Sequence, residues 1–253
     1  MSSIFNEIIY KPLYNLLIFT YNTASFRDFG IAIVLVTLAI KFILIPLSKK
    51  QIESQKKMQE LQPKIKAVQE KHKNNKEKQS RALIDLYKEN KTNPLSGCLP
   101  MIIQLIFLIA IYRVLFNIAS ANLIVNPDSL YAFVRNPGQI NKMFLGIIDL
   151  SAALNYGSLT IKSIPHILLV LLAAASQYYQ TKMLMAKQAV NKTSAGQEDF
   201  AQIMSKQMLY LGPILTLFIG IKFPAGLALY WLVSTVFMIA QQYYVEKKAP
   251  LNP

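Results

Sequence analysis

Apolar residues dominate the chain in five stretches, 29–47, 95–117, 164–186, 208–222 and 225–245, separated by segments where polar and charged residues take over. A helix that crosses a bilayer needs about 20 mostly apolar residues, so each stretch reads as a membrane span. The fourth is the shortest and carries Gly212, Pro213 and Gly220. GIKFPAG joins it to the fifth, and Pro224 and Gly226 there predict a tight turn between antiparallel helices. Between the first two spans lies a long polar segment, 48–94. Within it Met58, Leu61, Ile65 and Val68 recur at spacings of three, four and three, a narrow helical stripe of the coiled-coil type. HKNNKEK at 72–78 interrupts the pattern and ALIDLYKEN resumes it. The prediction is a thin two-helix hairpin standing away from the bilayer. The start, MSSIFNEIIYKPLYNLLIFTYN, has no basic region ahead of its apolar residues, and Glu7, Lys11 and Pro12 interrupt it. It reads as an amphipathic segment, 1–28, lying in the membrane interface, and not as a cleaved signal.

Composition sharpens this picture. The chain is 53% hydrophobic and yet carries a net charge of +14, so apolarity and basicity are segregated along it, as in a multi-spanning membrane protein with basic loops. The segment 48–94 alone has 13 Lys and Arg against 6 Asp and Glu. Grouped by loop parity, 19 basic residues fall on one side of the bilayer and 7 on the other. The positive-inside rule then puts the hairpin, the 187–207 loop and the 246–253 tail in the cytoplasm. The N-terminus and the 118–163 loop fall outside. The expected fold class is an all-α, polytopic membrane protein. One cysteine, Cys98, excludes an intrachain disulfide framework and a multi-cysteine metal site.

The first span holds one full charge. Lys41 sits in LAIKFILIPLSKKQ, and a lysine at the centre of a membrane helix costs about 2.5–3.5 kcal/mol. No span contains Asp or Glu to pair with it. Helical spacing puts Thr37, Lys41 and Ser48 close to one face; Gly97, Pro100 and Gln104 share a face of the second span, and Ser176, Gln177 and Gln180 cluster in the third. In the fifth, Trp231, Ser234, Met238 and Gln241 follow at three, four and three. Polar groups at membrane depth usually face the bundle interior or a wet cavity, which predicts a bundle around a partly hydrated, positively charged groove. Two plainer readings stand beside it. Such residues also serve as glue between helices, and Lys41, about 9 Å from Leu47 along the axis, is within snorkelling reach of the interface. Enzyme signatures are missing: there is no HExxH, GxSxG, Walker or Rossmann pattern, and His72 and His166 fall on opposite sides. The expectation is a non-enzyme without metal or cofactor.

Several stretches taken together carry a resemblance. VTLAIKFILIPLSKKQ (36–51), LQPKIKAVQEKHKNNKEKQSRALIDLYKENKTNPLSGCLPMIIQLIFLIAIY (61–112) and FPAGLALYWLVSTVFMIAQQ (223–242) resemble the YidC/Oxa family of membrane protein insertases. The resemblance implies five transmembrane helices around a hydrophilic groove, with a cytoplasmic helical hairpin after the first. It implies insertion and folding of small or single-span membrane proteins, with nascent membrane proteins and the lipid bilayer as partners, and the Sec translocon and the ribosome as further ones. No DNA is implied, and the oligomeric state stays open. The family's groove usually carries an arginine where this chain has Lys41, which keeps the charge and loses the planar, bidentate fork. Thr37 and Trp231 match substrate-contacting positions of the family. Gln104 and Gln177 join them as groove residues on the stripe argument. The other functions weighed are an assembly scaffold and a lipid- or anion-moving transporter.

Overall fold

The computed structural model describes residues 3–93, 99–155, 157, 159–185 and 200–248. Helices α1 (Ser3–Phe5) and α2 (Lys11–Thr23) flank a π-helical turn at Asn6–Tyr10. Helix α3 (Phe29–Ile43) follows, capped by Asp28, whose Oδ1 accepts a hydrogen bond from Ile31 N at 3.0 Å. A cap of this kind satisfies one of the four backbone donors a helix leaves open at its start. The hairpin is α4 (Ile45–Lys71) and α5 (Lys76–Glu89), with Asn75 capping α5 through Lys78 N. Three long apolar helices come next in the chain: α6 (Leu99–Ser120), α7 (Ile164–Met185) and α9 (Ala225–Lys248). Helix α8 (Phe200–Lys222) precedes α9, and its apolar part is the shorter stretch Leu209–Lys222.

Of the described helices, three are long and apolar enough to cross a membrane, and the bent pair α3–α4 makes a fourth if taken as one span. The first span does not run straight to Leu47 as read from the sequence. Helix α3 stops at Ile43, Leu44 takes φ −84° and ψ 0°, and α4 leaves at 63°. The physical cause is Pro46, which has no N–H to continue the ladder and whose ring crowds the preceding turn. Along the hairpin stripe, Leu61 and Ile65 are buried, whereas α5 buries no residue. Helix α8 begins at Phe200, inside the segment read as a 187–207 loop; 186–199 lies outside the described residues, as do Gly97, Cys98 and the tail beyond Lys248.

The two ends of the bundle differ. At the end where α3 begins, the segment 121–163 is built into the protein. Strands β1 (Met143–Phe144) and β2 (Ile148–Asp149) pair antiparallel, and Val125, Val134, Ile140 and Leu150 are buried. The amphipathic N-terminal segment is also built in. Its apolar face (Leu13, Tyr14, Leu17, Ile18, Tyr21) is buried in the common core. Its polar groups serve the loop backbone: Tyr14 Oη accepts from Asn126 N at 3.1 Å and Tyr21 Oη from Asn141 N at 2.9 Å. Asn15 accepts from Tyr131 N at 2.6 Å and donates to Ser129 O at 2.9 Å. Asp28 Oδ2 accepts from Leu145 N at 2.7 Å, and the Phe144 ring lies against Gly30, where an added Cβ would collide with the ring. Ala225 and Gly226 at the start of α9 donate to Ala152 O and Leu150 O, so the loop also caps that helix. His166 is buried, with Nε2 3.1 Å from Gly220 O.

Candidate functional site

At the opposite end, where α3 bends into α4, polar side chains converge from four helices. Lys41 on the last turn of α3 donates from Nζ to Gln104 Oε1 on α6 at 3.1 Å. The same oxygen accepts from Ser234 Oγ on α9 at 2.9 Å. Lys41 is therefore held by an amide dipole and not by a carboxylate. Thr37, one turn earlier, is buried and spends its hydroxyl proton on Ile33 O at 2.6 Å. From α4, Ser48 donates to Leu44 O at 2.8 Å and accepts from Gln241 Nε2 of α9 at 2.7 Å, which ties the start of the hairpin to the last helix.

These groups surround a cavity of about 40 Å³. Its polar lining is Thr37, Lys41, Ser48, Gln51, Gln104 and Gln241, and Ile40, Ile103, Phe107 and Tyr230 are among the residues that close it. That is room for about three water molecules. Lys41 is the one charged residue among the lining residues described. Beside the cavity, sharing Gln241 as a wall, lies a larger hollow of about 610 Å³ between α4 and α9, lined by Ile45, Phe237, Ala240, Tyr244 and Val245 with Lys49 and Glu53 at its polar edge. The Ser48–Gln241 hydrogen bond stands at this shared wall.

The five residues singled out from the sequence do not form one site. Thr37, Lys41 and Gln104 meet at the cavity. Gln177 and Trp231 form a separate pair: Trp231 Nε1 donates to Gln177 Oε1 at 2.9 Å, and Thr235 Oγ1 lies 3.4 Å from the same oxygen. Helix α9 carries both sets on adjacent faces, Ser234 toward α6 and Trp231 with Thr235 toward α7. Trp231 and Thr235 are buried, and Gly212 of α8 comes up against Gln177, so this second set is a packed contact between helices.

Sequence reasoning missed Gln51. It is 7% exposed, and no group among the described residues lies within hydrogen-bonding distance of its Nε2. A buried amide left without a partner costs about 1–3 kcal/mol. The available signal was its spacing of three from Ser48, but a span read straight through to Leu47 puts Gln51 in a solvated loop. The 63° bend instead places Gln51 on the cavity wall.

A helical bundle with several helices long and apolar enough to cross a membrane, and donors converging on a small cavity, defines a class: an all-α, multi-pass membrane protein. Residues 19–252 match the model of the family described as 60Kd inner membrane protein. A protein of Fusobacterium nucleatum subsp. nucleatum named "Membrane protein insertase YidC" is 34% identical over 95% of this chain and 98% of its own length. Proteins of the same name from Streptomyces avermitilis and Geotalea uraniireducens are 37% and 33% identical over 87% and 95% of this chain. The chain spans 52% and 38% of the length of those two relatives. The chain belongs to this family, the YidC/Oxa family.

Proposed function

We propose that the chain is a membrane protein insertase that moves the polar end of a small or single-span client across the bilayer through the space beside Lys41. The observation that carries this reading is the cavity itself: one cation and several hydrogen-bonding groups gathered in an apolar bundle whose family relatives bear the insertase name. Helices α3, α6, α7, α8 and α9 are the five spans. Charge supports the orientation, with 19 basic residues on the side of the hairpin and C-terminus against 7 on the other, so hairpin and tail face the cytoplasm and the N-terminus lies outside.

Lys41 lowers the cost of holding acidic or polar client groups at membrane depth, because Coulomb attraction grows where water is scarce. A cavity of about 40 Å³ is far smaller than a peptide segment, so entry requires α4 to swing at Leu44 and part Ser48 from Gln241. The client's apolar segment meanwhile meets lipid between α7 and α9, beside Trp231 and Gln177. Its burial, at about 25 cal/mol per Å² of apolar surface, drives the step. The membrane potential adds about 2.3 kcal/mol per negative charge moved outward across 100 mV. No covalent step and no cofactor enters. The basic hairpin recruits the ribosome by charge, and the chain acts alone or beside the Sec translocon.

Reconstitution in liposomes with a single-span client bearing an acidic outer segment tests this. Protease protection of that segment is expected with the parent and with Lys41→Arg. Lys41→Ala is expected to lower it about tenfold, equivalent to about 1.4 kcal/mol. Equal protection in all three keeps the insertase and removes the electrostatic role of Lys41. No protection with the parent, with folding and orientation verified, overturns the reading in favour of a scaffold.

A further inference from the structure

We infer that Gln51 is a second client-contacting residue, one that takes a backbone carbonyl of the client while Lys41 takes its charge. The inference rests on the insertase reading and deepens it. Two independent observations carry it. Gln51 lines the same cavity as Lys41, and its amide nitrogen is buried with no acceptor among the described residues. Its polar neighbours in the cavity have partners: Lys41 is joined to Gln104, Ser48 to Gln241, and Thr37 to Ile33. Protein interiors rarely leave an amide N–H in this condition, and the exceptions call for an explanation.

Position supplies the explanation. Gln51 stands on the hairpin side of the bend and Lys41 on the bundle side, so the two face one space from two bodies that meet at Leu44. A polypeptide crossing that space offers a carbonyl oxygen at every residue, whatever its side chains. An amide N–H reads that oxygen without regard to charge, whereas an ammonium discriminates by charge. The pair therefore divides the work: Gln51 holds any extended chain, and Lys41 adds affinity where the chain is acidic.

The test uses the liposome assay with two clients that differ only by Asp or Asn at one position of the outer segment. The proteins are the parent, Gln51→Leu and Lys41→Gln. Gln51→Leu is expected to lower the insertion rate of both clients alike, by about fivefold, the worth of one hydrogen bond. Lys41→Gln is expected to slow the Asp client more than the Asn client. In parallel, a photo-crosslinking amino acid at position 51 is expected to capture the outer segment of a client stalled during insertion, which also covers the case of a Gln51→Leu protein that misfolds. Unchanged rates for both clients with Gln51→Leu, or no crosslink from position 51, overturn the inference while leaving the insertase intact. A Gln51→Leu effect confined to the Asp client also overturns it, since Gln51 would then act through Lys41. A parent that inserts neither client overturns the proposed function itself.

Discussion

The two ends of this bundle treat buried polar groups in opposite ways. Around the segment 121–163, Tyr14, Asn15, Tyr21 and Asp28 each meet a backbone group of the loop, and Gly30 admits the Phe144 ring. At the bend, a helix breaks at Pro46, a cavity opens, and Gln51 is left without an acceptor among the described residues. One end is satisfied and filled; the other is polar and underfilled. The filled end keeps a fixed shape, and the underfilled end keeps room to receive something.

Substitutions can break the comparison. Gly30→Leu forces a side chain into the Phe144 ring and is expected to cost about 3 kcal/mol, the upper range for overpacking, read as a lower midpoint of thermal unfolding in detergent. The pair Asn15→Leu and Gln51→Leu is the more telling test, because each replaces an amide by a hydrocarbon. Asn15→Leu strands Tyr131 N and Ser129 O and is expected to cost about 2 kcal/mol. Gln51→Leu removes an amide that already lacks a partner and is expected to leave stability unchanged or to raise it, by up to about 1–3 kcal/mol. Equal losses from both would erase the contrast.

A smaller effect follows from Asp149. Burial raises its carboxyl pKa, but hydrogen bonds from Lys142 and Ser151 outweigh that and hold it below the ordinary 3.8. Because the folded value is the depressed one, the stabilisation is fully present above the unfolded pKa and is lost as pH falls through the folded value. Proteolysis of the 121–163 loop, with an acid-active protease, is expected to stay flat from pH 7 down to about pH 4 and to rise below it. Asp149→Asn is expected to flatten that rise.

The long apolar helices were legible in the sequence because lipid demands length and apolarity, and α7 and α9 begin at Ile164 and Ala225 where the apolar stretches do. The hairpin stripe was legible too, with Leu61 and Ile65 buried. The bend was not read, although Pro46 was visible, because the apolar run continues past Pro46 to Leu47 before the polar segment begins. The loop of 118–163 was read as a connector because its order comes from distant partners on α2 that local patterns do not reveal. Shared spacing grouped Trp231 with Ser234, yet adjacent faces of α9 send them to different helices. Periodicity gives a face to within a quarter-turn, and here that margin separated a cavity from a packed contact.

The bend at Leu44 also makes α4 a lever. Its 27 residues reach about 40 Å from the pivot at 1.5 Å per residue, and Gln51 sits only about 9 Å along it. A swing of about 10° would carry the hairpin tip about 7 Å while moving Gln51 about 1.6 Å. Weak forces applied at the tip are thus geared down about fourfold in travel and up by the same factor in force at Gln51.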